Sequence, residues 1–173
     1  MRNSVLIFFL IMFSSCEDSN TKRVQKSKKP EINTVKKHAI KSGLEKSAKD
    51  TIDSWKEYLS VANDLIKFRS ISPNEALNNA LQLAGLIKQM KDSIRPVDLI
   101  NSSFRTRVNV LENEALRLKD MTFISSITAK EVNQQVDKIM AAFSATNSKI
   151  NTVYSQLEVE KEIQINSNRT NNY

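Results

Sequence analysis

The sequence predicts an all-α protein, in which four helices form an up-down-up-down bundle behind a flexible N-terminal tether. The chain of 173 residues contains only two glycines and three prolines, whereas β-rich folds need such residues at their many turns. Apolar residues recur every three or four positions over most of the chain, as they do on one face of a helix. Three segments also begin with the spacing of a capping box, which is typical of a helix N-terminus.

The first predicted helix begins near Ser42 and ends near Ser70. Ser42 and Glu45 have the spacing of a capping box, in which each side chain bonds the backbone of the other residue. The apolar positions that follow lie on one side of a helix. They are Leu44, Ala48, Ile52, Trp55, Leu59, Ala62 and Ile66.

The second and third predicted helices are separated by Pro96, which stops the second. The second helix has the clearest start, because Ser72-Pro73-Asn74-Glu75 combines a capping box with proline at the first helical position. The third helix runs from about Asp98 to Met121. Its apolar stripe consists of Phe104, Val108, Leu111, Ala115 and Leu118.

The fourth predicted helix begins at Thr128 and continues towards Ile163, which makes it the longest. Its apolar stripe is interrupted by the polar pair Thr146-Asn147. The connection from Thr122 to Ile127 is apolar, so we expect it to pack over one end of the bundle. We assign residues 44–165 to the bundle and residues 166–173 to a polar tail. An extended coiled coil that completes its core by dimerising is the alternative arrangement.

The first fifteen residues have the pattern of a signal peptide. Arg2 supplies a positive charge, Val5 to Phe13 form an unbroken apolar run, and Ser14-Ser15 are small residues suited to cleavage. A membrane-spanning helix needs about 20 apolar residues, and this run is less than half as long. The pattern therefore predicts a removable signal peptide over residues 1–15.

The signal peptide ends in Phe13-Ser14-Ser15-Cys16, which resembles the lipobox of bacterial lipoproteins. The lipobox pattern prefers leucine three residues before the cysteine and glycine or alanine just before it, so Phe13 and Ser15 depart from it. The resemblance implies that Cys16 receives a diacylglyceryl group, that the peptide is cut before it, and that acyl chains such as palmitate hold the protein on a membrane of the cell envelope. We expect this to be the outer membrane. An ordinary secretory signal with an incidental cysteine is the alternative.

Two further patterns resemble signals of envelope proteins. Glu17-Asp18 resembles the surface-export signals of Bacteroidota lipoproteins, although acidic residues there can also direct retention, so the side of the membrane stays open. Asp50-Thr51-Ile52 and Asp92-Ser93-Ile94 resemble the O-glycosylation sites of the same group. Both isoleucines lie on predicted core stripes, which favours coincidence.

The basic charge is concentrated behind the anchor. The formal net charge is +7, but residues 17–46 contain nine Lys or Arg against four Asp or Glu, and residues 47–173 contain sixteen against fifteen. A nucleic-acid-binding domain would carry the excess itself. We therefore expect no nucleic-acid partner and interpret residues 16–43 as the lipidated cysteine and a flexible, basic tether.

The residue types of the predicted bundle exclude several kinds of catalytic and metal site. His38 is the sole histidine and falls in the predicted tether, and Cys16 is the sole cysteine. A Ser-His or Cys-His catalytic pair, a histidine-based metal cluster and a haem-attachment motif are therefore not expected in the bundle. Neither of the two glycines belongs to a phosphate-binding loop. These observations predict a protein that is not an enzyme and that has no cofactor.

The function that fits these features best is a membrane-anchored structural or protein-interaction module, which binds a protein partner or a second copy. We expect the partner face at the overhang of the first and fourth helices, formed by Leu44, Ala48, Leu157 and Ile163. The other interpretation of these four is the end of an ordinary core. The alternative function is a ligand-binding or sensory bundle with an apolar molecule held near Trp55, Met90, Phe143 and Tyr154, which plain core packing would also explain.

We also expect the tether to join the bundle at the overhang. In an up-down-up-down bundle, the start of the first helix and the end of the fourth lie at the same end. The overhang should then face the membrane.

Overall fold

A computed structural model describes residues 31–170, and helices dominate this part of the chain. Its five helices are α1 (Lys46–Ile52), α2 (Lys56–Phe68), α3 (Pro73–Asp92), α4 (Ser102–Met121) and α5 (Ala129–Thr170). Two short strands, β1 (Lys36–Lys37) and β2 (Ser70–Ile71), pair antiparallel. Single 3-10 turns lie at Glu31–Asn33 and Val97–Leu99. The prediction of an all-α protein is confirmed for the described residues.

The helix starts follow the capping chemistry of the sequence at two places. Ser72 caps α3, since its hydroxyl accepts from the Glu75 amide and the Glu75 carboxylate accepts from the Ser72 amide. Thr128 and Glu131 make the same pair of bonds at the start of α5. The expected box at Ser42 does not form, because α1 starts at Lys46 and its N-cap residue makes no side-chain cap.

The first predicted helix is broken into α1 and α2 at Trp55. This residue leaves the helical conformation with φ −94° and ψ 87°, and its ring is fully buried. Its ring centroid lies 5.7 Å from that of Tyr58 and 6.2 Å from that of Phe104. Because of this break, α1 packs on α5 while α2 packs on α3.

The four longer helices pack mainly on their neighbours in the chain. Contacts join α2 to α3, α3 to α4 and α4 to α5, and α3 also contacts α5. One continuous core of buried apolar side chains lies between them. Its largest fully buried members are Trp55, Phe68, Phe104, Ile52, Leu65, Leu83, Ile87, Met90, Leu99, Leu111, Leu118 and Ile139.

The connection between α4 and α5 does not pack over the bundle as expected. The side chain of Phe123 is 82% exposed and that of Ile124 is 48% exposed, although Ile127 packs partly against the core. The backbone here forms successive turns, with Phe123 N–H donating to Asp120 and Ile127 N–H donating to Ile124. These short turns hold the loop tip away from the core.

The predicted tether also differs from the structure. The sequence predicts a flexible tether up to residue 43, but residues 36–45 are hydrogen-bonded to the helices. Residues 16–30 lie outside the described part. At the other terminus, residues 166–170 of the expected polar tail continue α5, with exposed side chains from Asn166 to Arg169.

Trp55→Ala should destabilise the protein by about 3–5 kcal/mol, because it leaves a large cavity where the three aromatic rings meet. Unfolding by denaturant, followed by far-UV circular dichroism, measures this loss. Val110→Ala is the control, since Val110 is 46% exposed and its truncation should change the free energy of unfolding by about 0.5 kcal/mol or less. Similar stability of the two variants would contradict the packing role of Trp55.

Candidate functional site

A row of polar side chains follows one side of α5 and holds the N-terminal segment. It consists of Asp137, Ser144, Asn147 and Asn151, which are spaced seven, three and four residues apart and therefore share one helix face. Ser144, Asn147 and Asn151 are buried, whereas the Asp137 side chain is 48% exposed. We call residues 36–45, which lie along this row, the docked segment.

The central contacts of the docked segment are made through its backbone. Asn147 donates from Nδ2 to the Ser42 carbonyl at 2.7 Å. Asn151 donates from Nδ2 to the Gly43 carbonyl at 2.9 Å and accepts at Oδ1 from the Glu45 amide at 2.9 Å. The two amide side chains thus satisfy backbone groups that would otherwise need a strand or water as partner.

Ser144 and Tyr58 extend this network. The hydroxyl of Ser144 accepts from the Lys41 amide at 2.9 Å and donates to the Met140 carbonyl at 2.7 Å. The Tyr58 hydroxyl donates to Asn147 Oδ1 at 2.8 Å. Burial raises the pKa of Tyr58, so this hydroxyl keeps its proton and remains a donor. Tyr58 and Ser42 together fix the orientation of the Asn147 amide, because one supplies a donor and the other an acceptor.

His38 anchors the other end of the docked segment. Its backbone amide donates to the Arg69 carbonyl at 2.9 Å, next to the β1–β2 pair. Its side chain is fully buried, and Nδ1 lies 2.7 Å from Asp137 Oδ1. An ionised carboxylate can only accept, so Nδ1 carries the proton. Nε2 is buried without a hydrogen-bond partner among the residues that the structure describes.

Asp137 is held in its ionised form by two basic neighbours. Burial would raise the pKa of Asp137, but hydrogen bonds from His38 and Lys36 outweigh this effect and hold the pKa below its usual range. The Lys36 ammonium lies 3.0 Å from Asp137 Oδ2. A lowered pKa in the folded state stabilises the fold above the unfolded value of about 3.9, and this contribution is lost as the pH falls below it.

The direction of the docked segment places the chain entry at the start of α5. Glu45 lies beside Asn151, whereas Lys36 lies beside Asp137, about two turns after the start of the helix. Glu31 and Val35 line a cleft together with Lys130, in the first turn of α5. The segment therefore runs back along α5. Its far end lies opposite the overhang where the sequence had suggested that the tether joins.

The expected partner face is divided between the core and the surface. Ala48 is fully buried and belongs to the end of the core. Leu44 and Leu157 pack partly against that core. Ile163 is 62% exposed on the last part of α5. The start of α1 and the late part of α5 do lie together, since Lys46 and Glu158 line one cleft.

The side chains considered for an apolar ligand all lie in the packed core. Trp55, Met90, Phe143 and Tyr154 are each less than 7% exposed. Trp55 contacts Tyr58, whose ring stacks on Phe143 at 5.7 Å. Within residues 31–170, the structure contains no cluster of three or more His, Cys, Asp or Glu side chains that could hold a metal ion. Cys16 lies outside the described residues.

The two glycosylation-like motifs differ in access. In the first, Thr51 is exposed and Ile52 is fully buried. In the second, the Ser93 hydroxyl oxygen is buried. A glycan cannot attach to a buried oxygen in the folded protein, so only Thr51 remains accessible.

Comparisons with known proteins find no relative of this chain. No protein-family model matches the chain, and comparisons with curated proteins and with solved structures find no match. Among the helices of the described region, none is both long and apolar enough to cross a membrane.

Replacing Asn147 by alanine should weaken the docked segment strongly. The change leaves the Tyr58 hydroxyl and the Ser42 carbonyl without partners, at a cost of about 1–3 kcal/mol for each group that stays buried. Asn113→Ala on the exposed side of α4 is a matched control and should cost about 0.5 kcal/mol or less. Denaturant unfolding of both variants measures the difference. Equal stabilities would show that Asn147 does not hold the segment.

Proposed function

We propose that this protein is a lipid-anchored, non-enzymatic interaction module of the bacterial cell envelope, held on the outer membrane through Cys16. The lipobox-like Phe13-Ser14-Ser15-Cys16 supports the anchor, because the chain's single cysteine stands at the position that would be acylated. Two or three acyl chains bind a membrane far more firmly than one, so such an anchor would be stable.

The observation that carries the interaction role is the projecting end of α5, residues 158–170, which we call the α5 arm. Leu157 is the last residue of α5 that packs against the core, and every side chain from Glu158 to Arg169 is exposed. At 1.5 Å per residue the arm is about 20 Å long. An isolated helix of this length is only marginally stable in water, so a partner that covers one face would stabilise it.

The arm offers an apolar pair to such a partner. Val159 is 53% exposed and Ile163 is 62% exposed, and residues four apart lie on the same side of a helix. Glu158, Glu160 and Glu162 flank this pair, and Lys161 is the one basic residue among residues 158–163. A partner helix with an apolar stripe and basic flanking residues, from another envelope protein or from a second copy, fits this chemistry.

The bundle supplies a rigid base for the arm. We interpret α2, α3, α4 and α5 as an up-down-up-down bundle, with α1 as a short addition packed on α5. The contacts between consecutive helices support this order, and so does the pairing of Tyr58 near the start of α2 with Asn147, about 18 residues beyond the start of α5. Short connections favour antiparallel neighbours.

The direction of the docked segment supports an orientation opposite to that suggested by the sequence. The chain reaches the described structure at Glu31, beside the first turn of α5, so a lipid on Cys16 would hold this end towards the membrane. The α5 arm would then extend away from the lipid surface. That orientation leaves the arm accessible to a partner in the surrounding compartment.

Photocrosslinking from the arm in the native envelope tests the interaction role. A photoreactive amino acid in place of Ile163 should give one defined crosslinked product, whereas the same group in place of Val110 on α4 should give none. In the background of Val159→Asp the product should disappear, because a buried charge opposes helix pairing. Equal labelling from both positions, or none from Ile163, would contradict a partner on the arm.

The anchor is tested separately by the mass of the mature protein. Its N-terminal peptide should carry acyl chains on Cys16, and Cys16→Ala should leave the protein unacylated and released from the membrane fraction. A wild-type protein without acyl chains would contradict the anchor while leaving the crosslinking result to stand alone.

A further inference from the structure

Phe123 and Ile124 form an apolar loop tip that the bundle leaves uncovered. Phe123 is 82% exposed, the largest exposed fraction among the bulky apolar residues described, and Ile124 beside it is 48% exposed. Exposed apolar residues scattered singly are ordinary, but an exposed pair with an aromatic ring at a loop tip is a candidate contact surface. The turns from Asp120 to Ile127 fix this tip in place through backbone hydrogen bonds.

The tip lies at the end of the bundle where the chain enters. Ile127 and the tip directly precede α5, and Lys130 in its first turn lines a cleft with Glu31 and Val35. Val35 is itself 56% exposed. The loop tip, the first turn of α5 and the entry of the chain therefore share one end of the molecule.

The length of chain before Glu31 limits how far this end can lie from Cys16. Fifteen residues separate the two positions, and even a fully extended chain of that length spans only about 50 Å. The α5 arm is farther away, because about 30 residues of helix, or about 45 Å, separate Asn133 beside the entry cleft from Ile163. A lipid on Cys16 would thus bring the loop tip to the membrane more readily than the arm.

The charges at the two ends of the molecule favour the same orientation. Lys119 and Lys130 flank the loop tip and are balanced by Asp120 and Glu131, so the basic excess at this end comes from the chain at and before its entry, where Lys37 lies on β1. Behind Glu31 the chain contributes Lys22, Arg23, Lys26, Lys28 and Lys29. The α5 arm instead carries three glutamates in the five residues 158–162. Anionic headgroups attract lysines and repel carboxylates, so they would hold the arm away.

We propose that Phe123 and Ile124 insert into the lipid surface on which Cys16 is anchored and form a second membrane contact. The inference rests on the proposed lipid anchor, because the acyl chains supply the local lipid. An aromatic ring and a branched aliphatic chain bury apolar area at the headgroup boundary, and nearby lysines remain in the headgroup layer. The two contacts together would fix the orientation of the bundle, which a single anchor point leaves free.

A fluorophore beside the loop tip measures this insertion. The full-length mature protein is reconstituted in vesicles of phosphatidylethanolamine and phosphatidylglycerol, with bimane attached to the Ser125→Cys variant. The acylated Cys16 is a thioether, so the introduced thiol is the only reactive one. Bimane at this position should shift to the blue and be quenched by lipids brominated in their acyl chains. The same label on the Gln164→Cys variant, in the α5 arm, should show neither effect.

A matched pair of substitutions separates the apolar tip from mere proximity. Phe123→Ser combined with Ile124→Ser in the labelled protein should abolish the quenching, because no apolar side chain then enters the lipid. Leu81→Ser should leave the quenching unchanged, since Leu81 is 71% exposed on α3, away from the loop. Thermal unfolding should be similar in all these variants, because the altered side chains are exposed in the folded protein.

The possible failures are distinguishable. A protein that stays on the vesicles while the Ser125 label remains unquenched overturns the loop insertion and leaves the lipid anchor standing. The same holds if a photoreactive amino acid in place of Phe123 crosslinks to a second copy or to another protein while the Ser125 label stays unquenched. A protein without acyl chains that does not sediment with vesicles overturns the proposed anchor itself.

Discussion

Asn147 and Asn151 bind the backbone of the docked segment, and the path of the chain along α5 depends on this contact. Both are buried on α5 and bind backbone groups of Ser42, Gly43 and Glu45. If either were apolar, backbone groups of the segment would lose these partners, and each group that stayed buried would cost more than an ordinary hydrogen bond contributes. The contact fixes a chain that composition assigns to a tether along α5, from Asn151 back to Asp137.

The docked segment changes how a lipid on Cys16 would orient the molecule. If a flexible tether ended at Ser42, the chain would join the bundle close to the α5 arm. Because the docked segment runs back towards the start of α5, the chain joins the bundle at the opposite end. His38 and Asp137 secure that end, with the imidazole fully buried and the carboxylate shared with Lys36. Membrane anchoring and partner binding would then occupy separate ends of one rigid helix, so neither obstructs the other.

Local chemistry made much of the fold predictable. The starts at Ser72 and Thr128 follow from side chains that cap the backbone three residues away, and the stripes of α3 and α4 follow from helical periodicity. The break at Trp55 was not predictable in this way, because the same 3-4 spacing continues through it. Only the packing of its ring on Tyr58 and Phe104, residues from two different helices, favours the break.

The candidate site was less predictable, because its partners lie about 100 residues apart in the chain. The docked segment contains few apolar residues, and it is held through backbone groups that carry no sequence signature. One signal was present: the polar pair Thr146-Asn147 interrupts an otherwise apolar stripe, and a buried asparagine requires a partner. Ile163 is exposed on the long last helix and Ala48 is fully buried, a difference that the sequence does not give because a stripe alone does not distinguish the end of a core from a surface.

Amide hydrogen exchange in the full-length protein tests the docked segment most directly. The amides of His38, Lys41 and Glu45 donate to Arg69, Ser144 and Asn151, so they should exchange far more slowly than those of an unfolded peptide. Their protection should decrease in Asn147→Ala while that of α3 and α4 is largely kept. Exchange of these three amides at unfolded rates, with the helices still protected, would contradict the docking of residues 36–45 on α5 and the orientation derived from it.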